Sequence, residues 1–308
     1  MYTLPIDTPR SLLHRASCTL FAGSKCRIAD GRRIVAARYS QVMTRMSFDS
    51  ETSPVGHLDT PVNALVTGAS SGIGLAMARL LLENRLVARV FAVSRSVSTS
   101  DSLTQLHQSH GDRLQRLAID ISDETQLLRL QRNVGEQVDS LHLVVNAAGL
   151  LHGHDVQPEK AVEQITAANL GRVFALNAFA PILLAKALMP LMEHGHSAVF
   201  ASLSARVGSI ADNRSGGWYA YRASKAAQNQ LMKTFAIELA RRNRKACCLL
   251  VHPGTVDTPL SAPFKARVPA EKLFTTDRAA AQLLKIIARS TPADSGRFIA
   301  WDGQDVPW

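Results

Sequence analysis

Tyr221 and Lys225 stand four residues apart in a segment of helical pattern, so their side chains share one helix face. A phenol beside an ammonium is a proton-handling pair. A carbonyl that accepts a hydride develops alkoxide charge and must gain a proton, and a phenol with an ordinary pKa of about 10 is a sluggish partner at neutral pH. A nearby ammonium favours phenolate and lowers that value. Moving it by about 2–3 units asks for roughly 3–4 kcal/mol of differential interaction. Seventeen residues before Tyr221 lies Ser204, with Ser202 just upstream. A hydroxyl there can hold the substrate oxygen as its charge develops. Taken alone, the Tyr/Lys pair fits a core aromatic and a neighbouring lysine equally well, so context decides.

The context is a glycine-rich turn, Thr67-Gly68-Ala69-Ser70-Ser71-Gly72-Ile73-Gly74, placed after an apolar strand and before a helix. Glycines let the backbone approach a pyrophosphate, and the helix that follows offers it free amides and a positive dipole end. The second strand ends in Ser94-Arg95-Ser96, where the residue that reads the adenosine ribose is expected. An acid there would accept from the 2′-hydroxyl, whereas Arg95 can pair with a 2′-phosphate. The pattern therefore predicts NADP(H), with NAD(H) as the alternative. Asp120, after the third strand, is placed to touch the adenine or to shape its loop. Asn146-Ala147-Ala148-Gly149 closes the fourth strand with small residues that leave room for the cofactor.

The elements that must position these residues alternate. Strands are predicted at Asn63–Thr67, Arg89–Val93, Leu114–Ile119, Leu141–Asn146, Ala198–Leu203, Ala246–His252 and Arg297–Trp301. Helices are predicted at Leu75–Glu83, Ser122–Val138 with Ser122 as N-cap, about Glu159 to Glu193, Tyr219–Arg242 and Asp277–Arg289. A Ser/Asp/His-rich connection precedes the third strand. The fold class is α/β: one doubly wound, Rossmann-type parallel sheet with ligands at the strand C-terminal ends.

The 308 residues are 46% hydrophobic and 19% charged, an ordinary globular balance. The net charge of +10 is uneven: residues 1–46 carry +6 and the rest of the chain +4. A nucleic-acid stripe across the domain is not indicated. Arg241, Arg242, Arg244 and Lys245 sit where a helix should end and complement its dipole. The apolar stretch from Asn177 to Met192 is interrupted by Lys186 and two prolines, and reads as a buried helix rather than a membrane span. The four cysteines suit a reducing compartment; Cys247 and Cys248 should point to opposite faces of one strand, and Cys18 and Cys26 lie in a segment not expected to pack. His152, His154, His194 and His196 lack a third ligand at metal spacing, and no metal is expected. Residues 1–60 are Arg- and Ser-rich and are set apart as an extension, with the domain proper at 61–308. Three readings fit the extension: a later start at Met43 or Met46, a disordered tail, or a mitochondrial presequence. The expected location is cytoplasmic, or mitochondrial under the third reading.

These pieces together resemble the short-chain dehydrogenase/reductase family over about residues 61–308. The resemblance rests on TGASSGIG (67–74), NAAG (146–149), ASLSARVGS (201–209), YRASK (221–225) and HPGTVDT (252–258), in family order and near-family spacing. The stretch SARVGSIADNRSGGWYAYRASKAA and the ending GRFIAWDGQDVPW look like the C-factor and sniffer-like carbonyl reductase branch. The resemblance implies Tyr221 as acid/base and Lys225 as the group that binds the nicotinamide ribose and tunes Tyr221. It implies Asn177, in FALNAFAPILL, as support for a proton-relay water, with Asn169 in a similar neighbourhood as the competitor. Pro253, Gly254 and Thr258 match the segment that holds the nicotinamide carboxamide. The serine departs from the family pattern. Ala205 follows Ser204 and Gly208 lies four after it; counting back from the glycine lands on Ala205, but counting from the strand gives Ser204, which is the expected catalytic serine, with Ser202 behind it. The resemblance further implies a small carbonyl or alcohol substrate and a homo-oligomer. Its C-factor side implies a second reading, a cell–cell signalling or cofactor-sensing protein with little turnover. Specificity is expected in the loop Ser261–Thr276, and Trp218 and Tyr219 are placed either to line the pocket or to pack the loop Ser209–Gly217.

Overall fold

The computed structural model describes residues 48–308 except His57 and Asp59. The expectations for residues 1–47, including Cys18 and Cys26, lie outside the described residues. The strands are β1 (Val62–Thr67), β2 (Val87–Ser94), β3 (Leu114–Ala118), β4 (Leu143–Asn146), β5 (Ala198–Leu203), β6 (Ala246–His252), β7 (Thr255–Val256), β8 (Leu273–Phe274) and β9 (Phe298–Ala300). Seven of them form one sheet in the order β3-β2-β1-β4-β5-β6-β9, every pair parallel. The helices are α1 (Gly72–Glu83), α2 (Asp101–His110), α3 (Glu124–Gly135), α4 (Ala167–Phe174, a π-turn Ala175–Phe179, then Ala180–Leu188), α5 (Tyr219–Arg242) and α6 (Thr276–Arg289). The doubly wound α/β class is therefore observed.

Because successive side chains of a strand point to opposite faces, the sheet carries two cores. Ala64, Val66, Val90 and Leu249 face one side, where Met77 and Leu81 of α1 and Leu283 and Leu284 of α6 pack. Leu65, Phe91, Val144 and Leu250 face the other, against Leu130 of α3, Leu184 and Leu188 of α4, and Phe235 and Leu239 of α5. Cys247 belongs to the first core and Cys248 to the second, as alternation requires.

Several local expectations are corrected. The connection before β3 contains a helix, α2, capped by Ser100, whose side chain accepts from Leu103 N. Only Leu103 of α2 is fully buried, so its apolar stripe is too thin to show in the sequence. The cap of α3 is Asp123, which accepts from Thr125 N and Gln126 N; Ser122 donates instead to Asp120 Oδ1 at 2.6 Å. The helix expected from Glu159 starts at Ala167 behind the Thr166 cap. Within Ala167–Leu191 an 18-residue window reaches a mean hydropathy of 1.7, long and apolar enough by composition to cross a bilayer, and half of that window is buried inside the fold.

The boundary at Pro61 is also corrected. Phe48 and Val55 are buried in the first core. Asn84, fully buried after α1, donates to Asp49 O at 3.0 Å and Thr52 O at 2.8 Å while its Oδ1 accepts from Leu86 N at 2.8 Å. One amide thus ties residues before Pro61 to the helix end. Asn84→Ala should remove three hydrogen bonds worth about 1 kcal/mol each, lowering the melting temperature by roughly 5–10 °C. Thermal unfolding followed by circular dichroism checks this; an unchanged midpoint would mean that the segment is held by apolar contact alone.

Candidate active site

All seven strands of the main sheet point their C-terminal ends to one edge. The chain leaves β1 toward β2 and β3 on one side and returns to β4 on the other, and at that reversal the crossovers diverge and leave a crevice. A cleft of about 470 Å³ lies there, lined at one end by the glycine-rich turn and at the other by Ser204, Tyr221 and Lys225.

The turn after β1 works by close approach. Gly68 and Gly72 hold φ of +66° and +57°, a region that favours glycine. A Cβ on Gly74 would lie 2.4 Å from Gly68 O, so α1 rests directly on the turn. The helices α2, α3, α4 and α6 are capped by the side chains of Ser100, Asp123, Thr166 and Thr275. α1 has no such bond from Ser71 and no acid in its first turn. Its leading amides and dipole end therefore face the cleft unspent, a fitting seat for a phosphate. Ser70, Ser71, Gly72, Ile73 and Gly74 all line it.

Beyond the turn, Arg95 lines the cleft with its guanidinium 3.9 Å from the Asp120 carboxylate, which lines it too. The arginine side chain is 74% exposed, so this pair is loose and leaves the cation accessible. Beside it three hydroxyls converge: Ser70 and Ser94 Oγ at 2.9 Å, and Ser96 Oγ on Ser70 Oγ at 3.0 Å. Ser94 and Ser96 also line the cleft, a role that sequence reading did not give them. Only the fold brings β2 beside the β1 turn and makes one cluster of all three.

β5 and α5 build the other end. β5 delivers Ser204, whose Oγ donates to Asn229 Oδ1 at 2.6 Å. Ser202 points below the floor, fully buried, and does not reach the cleft. α5 delivers Tyr221 and Lys225. Its first turn is held by the buried Glu159, whose Oε2 accepts from Ala220 N at 3.2 Å. Trp218, at φ +52°, starts the helix and packs its ring against Phe264 at 5.1 Å and edge-on to Tyr221 at 6.3 Å. Lys225 Nζ donates to Leu203 O at 3.0 Å and Gln228 Oε1 at 2.9 Å. Gly208 lets β5's following turn touch the helix there: a Cβ on it would lie 2.7 Å from Lys225 Cβ.

The electrostatics differ from the simple expectation. Burial pushes the Tyr221 phenol well above its ordinary value and brings the Lys225 ammonium down to about 7. Nζ sits 5.9 Å from the tyrosine ring centroid and spends two donors elsewhere. Desolvation therefore outweighs the attraction that would lower the phenol.

Asn177 sits in the π-turn of α4, fully buried. It accepts from Leu150 N and donates to Leu150 O, both at 2.7 Å, fixing the loop after β4 beside Gly149. Asn169 is turned away and donates to Glu159. Ala147, Gly149, Pro253 and Thr258 line the cleft; Thr67, Asn146 and Gly254 do not. Thr67 donates to Asn146 Oδ1 at 2.7 Å beneath the floor. A Cβ on Gly254, at φ +78°, would meet Phe274 at 2.8 Å, so that glycine answers to packing. Of the histidines, His152 lines the cleft and contacts Pro259 O at 2.9 Å. Among the described residues no three His, Cys, Asp or Glu gather as a metal site.

Residues 62–268 match the family model for short chain dehydrogenases. The chain is 34% identical to the C-signal of Myxococcus xanthus over 48% of this chain and 84% of that protein. It is 32% identical to a 1-hydroxy-2-glutathionyl-2-methyl-3-butene dehydrogenase of Rhodococcus sp. (strain AD45), over 62% of this chain and 78% of that enzyme. Its fold superimposes on an NADPH-bound carbonyl reductase from chicken fatty liver with a TM-score of 0.71 at 26% identity, covering 81% of this chain and 100% of that one. The family model spans two thirds of the chain, and the relatives include dehydrogenases and reductases: the chain belongs to the short chain dehydrogenase family and is a nicotinamide-dependent oxidoreductase.

Proposed function

We propose that this protein is an NADP(H)-dependent carbonyl reductase, reversibly an alcohol dehydrogenase, in which Tyr221 handles the proton. The observation that carries this reading is the placement of Ser204, Tyr221 and Lys225 at one end of a single cleft whose other end is the uncapped start of α1. The residues present fit a dinucleotide phosphate. The free amides of α1 suit the pyrophosphate, while Arg95 and the hydroxyls of Ser70, Ser94 and Ser96 suit a 2′-phosphate, with a fork-shaped cation beside neutral donors. Asp120 lies within reach of the adenine side, and Pro253 and Thr258 flank the nicotinamide end. The bound nicotinamide would supply or take the hydride.

The chain's own groups do the rest. Tyr221 Oη gives its proton to the substrate oxygen in reduction and takes it back in oxidation. Its high pKa in the buried site makes it a neutral donor at rest. Lys225, seated behind it, serves the ribose and the phenol together. Ser204 donates to the same oxygen, which requires its proton to turn away from Asn229. The Asn229 Nδ2 is buried without a partner among the described residues, so a half-turn of that amide makes it the donor to Ser204 Oγ and frees the proton with no net loss of hydrogen bonds. Asn177 holds Leu150 and thereby the cleft wall.

A second reading, a signalling protein with little turnover, is favoured by one observation, the 34% identity to the C-signal. Turnover with a panel of aldehydes and ketones separates the two.

Arg95→Asp should weaken NADPH binding by roughly ten- to hundredfold, the equivalent of a charge-assisted contact of about 1.5–3 kcal/mol, and leave NADH less affected. Fluorescence titration of both cofactors checks it, and equal effects on the two would remove Arg95 from the phosphate site. Tyr221→Phe keeps the ring and its packing against Trp218 but removes the proton. Its kcat should fall by about 10²-fold or more with NADPH affinity largely kept. Retention of a tenth of wild-type kcat would move the signalling reading ahead.

A further inference from the structure

Gln228 lies three residues beyond Lys225 on the same face of α5 and is 1% exposed. A primary amide sealed from water must find partners for two donors and an acceptor, and every bond that Gln228 makes bears on the cleft floor. Its Oε1 accepts from Lys225 Nζ at 2.9 Å. Its Nε2 donates to Ser202 Oγ at 2.7 Å and to Leu203 O at 3.2 Å. Ser202 Oγ also accepts from Asn146 Nδ2 at 3.0 Å, and Asn146 Oδ1 accepts from Thr67 Oγ1 at 2.7 Å. Thr67, Asn146 and Ser202 are register partners on β1, β4 and β5. One row of hydrogen-bonded side chains therefore crosses three strands beneath the cleft and ends, through Gln228, on the lysine.

Lys225 Nζ has three N–H donors. Two are taken by Leu203 O and Gln228 Oε1. The third has no acceptor among the described residues, while the residue lines the cleft with Nζ 3.8 Å from where a Cβ on Gly149 would stand. We propose that Gln228 is a positioning residue: anchored by Ser202 at the end of the Thr67–Asn146–Ser202 row, it pins two donors of Lys225 so that the third addresses the cleft. The proposal rests on the reading of Lys225 as the partner of Tyr221 and the nicotinamide ribose. The groups shown facing Nζ are Leu203 O of β5, Gly149 of the loop after β4, and Tyr221 and Gln228 of α5. Of these only Tyr221 titrates, and it is neutral at pH 7. With the amine drawn down to about 7 by burial, loss of the Oε1 acceptor favours the uncharged amine. A lysine no longer held toward the cleft by Gln228 also supports the phenolate less, so phenolate forms at higher pH.

The test uses Q228L, S202A and the double variant in the full chain. Leucine preserves most of the buried volume and removes both roles of the amide. In Q228L, NADPH should bind about tenfold more weakly, the scale of one lost charge-assisted hydrogen bond. The onset of alcohol oxidation should move to higher pH. S202A should shift both readouts in the same direction by less, at a melting temperature near wild type. The double variant should be no worse than Q228L, because Ser202 acts on the lysine only through Gln228. Unchanged NADPH affinity and pH onset in folded Q228L overturn the proposal, as do additive effects in the double variant. Should Q228L fail to fold, S202A decides: wild-type affinity and onset in it overturn the proposal equally. A wild-type protein that binds NADPH but turns over no carbonyl or alcohol defeats the enzyme reading alone, and the affinity arm still judges Gln228.

Discussion

Neighbouring strands that run the same way cannot be joined by a tight turn; each connection must leave at one edge of the sheet and come back at the other. Everything at this cleft follows from that constraint. The main sheet has seven parallel strands, so every C-terminal strand end is delivered to the same edge. The reversal between β1 and β4 then opens the edge where the crossovers part. The glycine turn, Arg95, Asp120, Gly149 and Ser204 come from five different strand ends and share one cleft. Their distances along the chain are irrelevant to their meeting. What matters is that each follows a strand.

The uncapped start of α1 shows how this edge is tuned. Four other helices end their free amides on a side chain, a local bond that stabilises the fold. α1 forgoes it, and Gly74 brings the helix within touching distance of its own turn. Stability is given up there in exchange for a fixed, electropositive surface. Beneath, buried polar groups do the opposite. Thr67, Asn146, Ser202 and Gln228 are all sealed from water and mutually satisfied, the condition under which a polar core fixes geometry instead of weakening it.

Sequence patterns revealed the strands of the main sheet because most are runs buried on both faces, the edge strand β3 less so, and revealed the glycine turn and the Tyr221/Lys225 pair because their spacing is local. Three kinds of information were not local. α2 is held largely by Leu103 and a serine cap, so no apolar stripe announced it. Residues before Pro61 looked detached since their anchor, Asn84, sits 32 to 35 residues further along than the carbonyl oxygens it binds, which any sequence supplies. In the sequence Gln228 is one polar residue among several in the helix predicted at Tyr219–Arg242; only the register of β1, β4 and β5 makes it the end of a row. The two serines near β5 illustrate the divide. Counting from the strand favours Ser204 over Ser202, and the fold gives the reason: strand alternation turns Ser202 into the floor and the strand's exit leaves Ser204 at the cleft.

The π-turn in α4 adds one residue to what would otherwise be a regular helix. An α-helix advances by about 100° per residue, so the extra residue is a phase correction. Before it, α4 presents Val173 inward; after it, Leu184 and Leu188 lock into the second core. Between them Asn177 is aimed at Leu150. Deleting any one residue of Ala175–Phe179 would restore an unbroken helix and leave it a choice, either to keep its downstream leucines in register or to keep its asparagine on the cleft wall. The chain can keep both only by carrying this local fault, which makes the segment intolerant of length change even where it tolerates substitution.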